Sequence, residues 1–464
     1  MRIWFNQTFS TIHAVFKHLR QPVPAGEIPP ICTHTPAHAA AFLAADEFIL
    51  PALRRGNDTT YEMTPQQTMP KTVTVELDTG TLHLDLEPGH IPLNRLLGFA
   101  ARVSSKRKFL LVSKVLGKHY PVSPKLMSWT YRALARRVLN RGTGTGSLWI
   151  GMAETATGLG YGVFEAACRE GAEQALFIQT TRYHLDGIER LEFEEAHSHA
   201  TDFFLYYPEQ PEHREQFLTA ETLVLIDDEI STGLTFLRLI KAYKEVNPNL
   251  RKVFIVSLVN FAHPDDRAAL EDQAGVAVEW VCFRQGLLRF EDSRNASIDS
   301  IAVNVSGNGE CKKSLLAWPG RLGLDAPISL ENDVVEQLCR RGFSRDERPI
   351  LVLGTGECNA PAYLLGRELE NRGFRVKVQS TTRSPIHQGN AIGSVCQFED
   401  NYEDGIPNFI YNLNPDDYRD IVVCHETPLC DALNDLLHAW QAISARFELQ
   451  PGNTNHAKLH FFRP

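Results

Sequence analysis

The residues best suited to chemistry lie together in the stretch LVLIDDEISTGLT, which covers residues 223–235. Its first four residues are apolar and predict a buried strand, and Asp227 and Asp228 follow at the C-terminal end of that strand. A short turn at 231–235 then leads into a predicted helix, whose free N–H groups and neighbouring hydroxyls suit a phosphate group. Two acids beside a phosphate site are unfavourable unless they face hydroxyl groups or a metal ion. A sugar phosphate supplies both the phosphate and the hydroxyls.

This stretch resembles the phosphoribosyl pyrophosphate (PRPP) motif of type I phosphoribosyltransferases. The resemblance implies that Asp227 and Asp228 bind the ribose hydroxyls, with Mg²⁺ as the cofactor held near the same two acids through water. It places the 5′-phosphate in the following loop, at Glu229, Ser231, Thr232, Gly233 and Thr235. Glu229 departs from the family, which usually has an apolar residue at that position. The alternative is an ordinary strand-to-helix turn in which the acids and hydroxyls are helix caps.

The pyrophosphate half of such a site is expected on earlier segments of the chain. The family binds pyrophosphate in a loop after an earlier strand, and the matching loop here consists of Ala153, Glu154, Thr155, Ala156, Thr157 and Gly158. The next strand ends just before Arg182, which we expect to neutralise the leaving pyrophosphate and to act with Asp227 and Asp228 as a catalytic residue. Lys114, Lys118 and His119 follow a strand assigned to the same sheet and are further candidate pyrophosphate ligands. A plain surface position is the alternative for these cations.

Two other features leave alternatives open. Residues 88–153 contain no Asp or Glu but twelve Lys and Arg, which indicates a basic face that is either simply solvated or binds an anion. The alternative function is therefore a PRPP-sensing regulator that binds nucleic acid through the basic block 95–141, although no helix-turn-helix pattern supports it. The loop 194–199 could bind a metal through His197 and His199, but substrate contact or an ordinary loop is favoured.

Composition excludes several classes of protein. The chain has 464 residues, of which 43% are hydrophobic and 22% charged, and its net charge is −9. No apolar run approaches the roughly 18 residues that a membrane span needs, and the apolar content is too high for a disordered chain. The nine cysteines are scattered and form no CxxC pair, which is typical of reduced thiols. The start of the sequence lacks a secretory signal pattern, so we expect a cytoplasmic protein.

Alternating strand-like and helix-like segments predict the fold. Continuous apolar strands separated by amphipathic helices are typical of a parallel sheet covered on both faces. We therefore expect an α/β fold, with a doubly wound parallel sheet of phosphoribosyltransferase type over 66–315 and a second α/β domain over 316–464, divided at Trp318-Pro319-Gly320. After a hairpin at 72–86, the predicted strands are 109–115, 147–151, 175–180, 222–227, 252–259, 350–354, 375–380 and 420–424. The predicted helices are 126–139, 163–171, 236–246, 360–373 and 428–440.

The second domain repeats the first in outline. Glu154 precedes Arg182, the end of a Thr-Thr-Arg sequence, by 28 residues, and Glu357 precedes Arg383, the end of another, by 26 residues. The strand that leads to Asp227 aligns with the one that leads to His425. These matches predict that the second domain is a degenerate repeat, which requires the same strand order in both. The second copy lacks the paired acids, which argues against a working site there.

A closer resemblance covers roughly residues 66 to 464. The motifs at 107–124, 151–162, 180–184, 194–202 and 223–235 are similar to those of the phosphoribosyltransferase of bacterial tellurium-resistance (ter) gene clusters. In that family a TRSP domain follows the enzyme, and Thr382, Arg383, Ser384 and Pro385 spell its signature here. The segment 1–65 resembles the start of an ATP-grasp protein from such clusters, and we assign it no chemistry.

The resemblance also implies a reaction and its partners. Ribose 5-phosphate would pass from PRPP to a small nitrogen-containing acceptor with release of pyrophosphate, in a nucleoside-like metabolite pathway linked to tellurium resistance and stress. Neither a membrane nor a nucleic acid is expected as a partner. A homodimer, or a complex with other enzymes of the same gene cluster, is left open, as is the identity of the acceptor.

Overall fold

The computed structural model describes residues 31–34, 71–89, 91–102, 107–193, 203–293, 317–343, 347–402, 404–450 and 453–463. Most of the segment 1–65 and the loop that carries His197 and His199 lie outside these ranges, so the expectations for them stay predictions. Within the described ranges, no helix combines the length and the apolar character that crossing a membrane requires.

In the first half of the chain, strands and helices alternate as predicted. The strands are β1 (Ile31–His34), β2 (Lys71–Leu77), β3 (Gly80–Leu86), β4 (Leu97–Ala101), β5 (Phe109–Ser113), β6 (Ser147–Gly151), β7 (Ala175–Gln179), β8 (Arg190–Phe193), β9 (Phe203–Tyr206), β10 (Thr222–Ile226), β11 (Glu229–Ile230), β12 (Lys252–Val256), β13 (Val259–Asn260), β14 (Ala277–Val281) and β15 (Arg284–Asp292). The helices are α1 (Leu93–Leu96), α2 (Pro124–Leu139), α3 (Thr157–Arg169), α4 (Pro211–Thr219), α5 (Leu234–Val246) and α6 (Pro264–Ala274).

The second half continues the alternation. Its strands are β16 (Ser329–Leu330), β17 (Ile350–Gly354), β18 (Val376–Ser380), β19 (Ser394–Phe398), β20 (Asn408–Tyr411), β21 (Asp420–His425), β22 (Ile443–Gln450) and β23 (Asn453–Phe462). Its helices are α7 (Val334–Arg340), α8 (Asn359–Asn371) and α9 (Asp431–Ala439). Short 3-10 helices lie at Pro319–Arg321 and Pro415–Asp417.

The first half is built on a doubly wound parallel sheet, which confirms the predicted fold class. Its strand order is β14-β12-β10-β6-β7, and all four pairings are parallel. Because side chains alternate across a strand, Trp149 and its neighbours pack with α2 and α3 on one face, whereas Ile150 and its neighbours pack with α4, α5 and α6 on the other. A separate sheet, ordered β11-β13-β15-β3-β2, contains the predicted hairpin.

The second half repeats this arrangement. Its sheet has the order β16-β23-β22-β21-β17-β18, so β17, β18, β21, β22 and β23 follow the same order as β6, β7, β10, β12 and β14. The last pairing differs, because β23 runs antiparallel to β22. The duplication hypothesis required a shared strand order, and the two sheets have one.

Matched hydrogen bonds extend the correspondence to single residues. Thr180 Oγ1 accepts from Ala153 N at 2.8 Å, and Thr381 Oγ1 accepts from Gly356 N at 2.9 Å. A tyrosine hydroxyl ties the next loop in each half: Tyr206 Oη donates to a backbone carbonyl at 3.1 Å, and Tyr411 Oη does so at 2.8 Å. Equivalent residues therefore keep equivalent roles in building the two loops.

The two halves are joined reciprocally along their sheet edges. The segment before the first sheet pairs with the edge strand of the second, where Val122 and Val378 exchange backbone hydrogen bonds of 2.9 and 2.7 Å. The segment before the second sheet pairs with the edge strand of the first, where Phe177 and Leu324 exchange bonds of 2.8 and 2.9 Å. One continuous apolar core spans both halves.

The segment at the predicted domain boundary is packed between the halves, and Trp318 and Arg321 are 0% exposed. Two details of the sequence prediction are corrected by the structure. Strand β5 does not belong to the main sheet; it forms a two-stranded antiparallel sheet with β4. Helix α3 begins at Thr157 rather than near Val163, so part of the predicted pyrophosphate loop is helical.

Candidate functional site

The C-terminal edge of the first sheet brings two of the predicted motifs together. Asp227 and Asp228 directly follow β10, and the residues after β6 lie on the neighbouring strand, since Ile226 pairs with Gly151. Met152 N donates to Ile226 O at 2.9 Å, which extends this contact beyond the strand ends. Neighbouring strands are about 4.8 Å apart, so one small ligand can reach both segments. Asp227 and Asp228 are partly exposed as residues.

The paired acids lack enough positive charge to offset them in the protein alone. Burial, followed by the neighbouring charge of Glu229, raises the pKa of Asp228 to about 7. Burial and the Asp228 charge also raise the pKa of Asp227. Arg107 Nη1 lies 2.5 Å from Glu229 Oε1, so this arginine forms an ion pair with the third acid of the motif. A ligand that supplies hydroxyl donors or a cation would relieve the cost of ionising the pair.

The same carboxylates are the candidate metal ligands. They offer hard oxygen atoms, the ligand type that Mg²⁺ takes, and burial together with neighbouring acids raises the pKa of both, so a bound cation would favour their ionised forms. Among the described residues, no three His, Cys, Asp or Glu side chains are grouped closely enough to form a metal cage. Residues and spacing therefore fit an ion held by two carboxylates, waters and ligand oxygens.

The turn after the acids has the geometry of an anion-binding helix start. Gly233 has a φ of 80°, a left-handed conformation that favours glycine, and α5 begins at the next residue. Ser231, Thr232 and Thr235 are partly exposed around this first turn. The helix dipole and the first-turn N–H groups, together with these hydroxyls, suit a phosphate group.

The predicted pyrophosphate loop is smaller than the sequence indicated. Only Glu154 and Thr155 are partly exposed, whereas Ala153, Ala156, Thr157 and Gly158 are buried. The Ala153–Glu154 peptide bond is cis. A Cβ on Gly158 would lie 3.1 Å from Asn359 Cβ, so this glycine faces the second half of the chain rather than a ligand. Thr157 and Gly158 lie in α3, which packs against α8 there, and the binding of pyrophosphate by the loop 153–158 stays a prediction.

The candidate cations differ in whether they contact the loop after β6. Lys118 Nζ lies 2.8 Å from Glu154 Oε1, and its side chain is only 1% exposed, so this lysine contacts the loop after β6. Lys114 does not, because its Nζ donates to Asn94 O at 3.0 Å. His119 is buried, and burial with the nearby Lys118 charge lowers its pKa to about 3, so its ring is neutral. The Arg182 guanidinium lies 4.6 Å from the centre of the Phe203 ring.

The TRSP signature belongs to the second half of the chain, yet one of its residues contacts the loop after β6 of the first half. Arg383 Nε donates to Glu154 Oε2 at 3.1 Å. Thr382 pairs through its backbone with Phe409, and its hydroxyl accepts from Ser384 N at 3.2 Å. Ser384 and Pro385 are partly exposed. The signature is thus a turn that carries Arg383 across the interface between the halves.

The corresponding edge of the second sheet is filled by protein side chains. Arg321, which is 0% exposed, donates to Glu357 Oε2 at 3.0 and 3.1 Å and to both Glu426 oxygens at 2.8 Å. Thr181 Oγ1 and the Arg182 N–H of the first half donate to the same Glu357 carboxylate, at 2.7 and 3.0 Å. In the second copy, the acid at the position that matches the first copy's paired acids, Glu426, is therefore already bonded to a buried arginine.

The sequence offered a signal for this cluster that was missed. Lys118 and Arg321 each follow a glycine, and each lies 36 residues before the glutamate that it contacts.

Much of the basic block 95–141 is neutralised within the molecule, which weighs against a nucleic-acid face. Its ion pairs include Arg132 and Arg136 with Glu170, Arg141 with Glu279, Lys108 with Asp292, and Arg107 with Glu229.

Comparison with known proteins places these features in two families. The family described as phosphoribosyl transferase matches residues 96–287, and the one described as the TRSP domain C-terminal to it matches residues 318–439. No curated protein matches the chain.

Solved structures are similar to parts of the chain. The adenine phosphoribosyltransferases of Trypanosoma brucei (14% identity, 41% of this chain and 77% of that chain, TM-score 0.29) and Rhodothermus marinus (17%, 42% and 96%, 0.30) are two of them. The orotate phosphoribosyltransferase of Mycobacterium tuberculosis is a third (16%, 41% and 90%, 0.25). By its family matches, this chain combines a phosphoribosyltransferase domain at residues 96–287 with the TRSP domain that follows such domains, at residues 318–439.

Proposed function

We propose that this protein transfers ribose 5-phosphate from PRPP to a small nitrogen-containing acceptor and releases pyrophosphate. The observation that carries the proposal is the arrangement at one sheet edge. A carboxylate pair and a helix start with hydroxyls follow one strand, and Glu154 with the cation Lys118 lies after the adjacent strand. These three features complement the three parts of PRPP, namely its ribose hydroxyls, its 5′-phosphate and its pyrophosphate.

Each part of the site has a separate task in the reaction. Asp227 and Asp228 accept hydrogen bonds from the ribose hydroxyls, and the turn 231–235 binds the 5′-phosphate, so the sugar is fixed at both ends. Lys118 and Arg182 lie where charge develops on the departing pyrophosphate, and their positive charge stabilises it. Mg²⁺, when bound near Asp227 and Asp228 through water, would neutralise further charge on the same phosphates.

Arg107, which precedes β5, reaches Glu229 beside the ribose position. We propose a nitrogen nucleophile as the acceptor, and we place the reaction in a nucleoside-like pathway linked to tellurium resistance in the cytoplasm on the basis of the sequence resemblance. Neither a homodimer nor a complex with other enzymes of the pathway is needed by this scheme.

The test is incubation of the protein with PRPP, Mg²⁺ and a panel of bases and amines, followed by mass spectrometry and a pyrophosphate assay. The proposal expects pyrophosphate release that depends on one acceptor and a product heavier than that acceptor by a ribose 5-phosphate unit. The alternative regulator would bind duplex DNA with a steep salt dependence and would release no pyrophosphate.

A further inference from the structure

Cations from both halves of the chain converge on Glu154. Lys118 Nζ lies 2.8 Å from one carboxylate oxygen, and Arg383 Nε lies 3.1 Å from the other. Arg182 is close enough to act on the same carboxylate electrostatically. The exposed fractions of the Lys118, Arg383 and Glu154 side chains are 1%, 8% and 10%. Three cations therefore act on Glu154, and Glu357 is a second acid that acts on Arg383, so positive charge exceeds negative charge among these largely buried groups.

The equivalent cluster in the second half has the opposite balance. There, one guanidinium, that of Arg321, lies between the carboxylates of Glu357 and Glu426, and all three side chains are 0% exposed. Every nitrogen of that guanidinium donates to a carboxylate. The guanidinium of this cluster therefore has no nitrogen left without a carboxylate partner.

The cluster around Glu154 is not complete in this way. Arg383 Nη2 is buried and has no hydrogen-bond partner, although its Nε is used. The Arg383 guanidinium also lies 5.3 Å from the centre of the Tyr183 ring, which restricts its orientation. A buried donor without an acceptor is costly, and an arginine held in one orientation is suited to a phosphate oxygen. The excess of positive charge and the unused Arg383 Nη2 donor together favour the binding of an anion.

We propose that Arg383, from the TRSP domain, binds the pyrophosphate group of PRPP in the site of the phosphoribosyltransferase domain. This inference rests on the proposed function. It adds a pyrophosphate-binding residue that the first domain does not contain. Pyrophosphate is the part of PRPP that faces the loop after β6, whereas the 5′-phosphate faces the helix start after β10. Glu154 holds Arg383 and Lys118 in place, and the phosphate oxygens take the donors that Glu154 does not use.

Contacts between the halves hold the TRSP turn beside the first half. The edge pairing of Val122 with Val378 and the contacts of α3 with α8 fix the TRSP turn against the loop after β6. In this scheme the TRSP domain supplies the signature arginine that completes the anion site of the phosphoribosyltransferase domain.

The test is calorimetry on the full-length chain with three ligands: PRPP, pyrophosphate and ribose 5-phosphate, each with Mg²⁺. Arg383→Met should weaken the binding of PRPP and of pyrophosphate about 10- to 100-fold, the usual effect of losing one charged hydrogen bond. Ribose 5-phosphate should bind within about twofold of the wild type, because its phosphate lies at the helix start. Arg372→Met, which removes an exposed arginine of the same domain, is the matched control and should change none of the three.

Two outcomes separate this inference from the proposed function. A wild-type chain that binds none of the ligands refutes the proposed function, and this inference with it. A wild-type chain that binds PRPP, together with an Arg383→Met variant of unchanged pyrophosphate affinity or of equal loss for ribose 5-phosphate, overturns the role of Arg383 alone. If Arg383→Met does not fold, Arg383→Lys keeps the charge and should still lose pyrophosphate affinity selectively.

Discussion

The buried cluster around Arg321 yields a prediction whose size can be worked out from the structure. Arg321→Met removes a guanidinium that makes four hydrogen bonds to Glu357 and Glu426, all in groups with no exposure. Breaking a buried ion pair by removing one partner typically costs about 3–5 kcal/mol, because the remaining charge is left unpaired. Arg372→Met is the control, because the ion pair of Arg372 with Glu336 is exposed to solvent and such pairs contribute little to stability.

The pH dependence of this loss has a definite sign. Burial already raises the pKa of Glu426, and Arg321 acts in the opposite direction. Without Arg321, the pKa of Glu426 rises further above its unfolded value. A folded state that holds extra protons loses stability as pH rises, by about 1.4 kcal/mol per pH unit for each proton. The variant should therefore lose less stability at pH 5 than at pH 8.

Urea unfolding followed by tryptophan fluorescence at both pH values measures the effect. Adding Glu426→Gln to the Arg321→Met variant should recover part of the lost free energy of unfolding at pH 8, because one uncompensated charge is removed. An Arg321→Met chain within about 1 kcal/mol of the wild type at both pH values would refute the reasoning, since that is the range of an exposed pair.

Three further predictions concern the ribose and phosphate positions. Asp228→Asn should abolish PRPP binding in calorimetry, yet raise the melting temperature at pH 8 without Mg²⁺, because a carboxyl whose pKa is raised to about 7 destabilises the fold once it ionises; a fall in melting temperature contradicts this. Arg107→Met should raise the pKa of Asp228 further and move the onset of PRPP binding to higher pH, and an unchanged binding profile would count against it. Gly233→Ala should cost about 1–2 kcal/mol in urea unfolding, since an L-residue is strained at this φ and its Cβ would lie 2.9 Å from Leu270 Cδ1; an unchanged midpoint would exclude this strain.

The sequence was sufficient wherever the signal was local. The strand Thr222–Ile226, its acids and the turn at Gly233 form one continuous segment, and alternation of apolar runs predicted both sheets. Internal similarity also predicted the repeat, because Glu154 and Glu357 stand at equivalent positions.

Contacts between distant segments could not be predicted in the same way. Arg321 lies in a stretch with Pro and Gly that is typical of a linker, and only its packing between two sheets shows that it is core. Likewise, Arg383 is 229 residues from Glu154, and no local pattern places the two side chains together. Gly158 was assigned to a ligand loop, although the approach of Asn359 is what requires a small residue there.

A crystal structure of the protein soaked with PRPP and Mg²⁺ tests the account most directly. It should show the ribose hydroxyls within hydrogen-bond distance of Asp227 and Asp228, and the 5′-phosphate against the first turn of α5. A sugar phosphate bound elsewhere on the chain, or one whose hydroxyls point away from both aspartates, would contradict the assignment of this site.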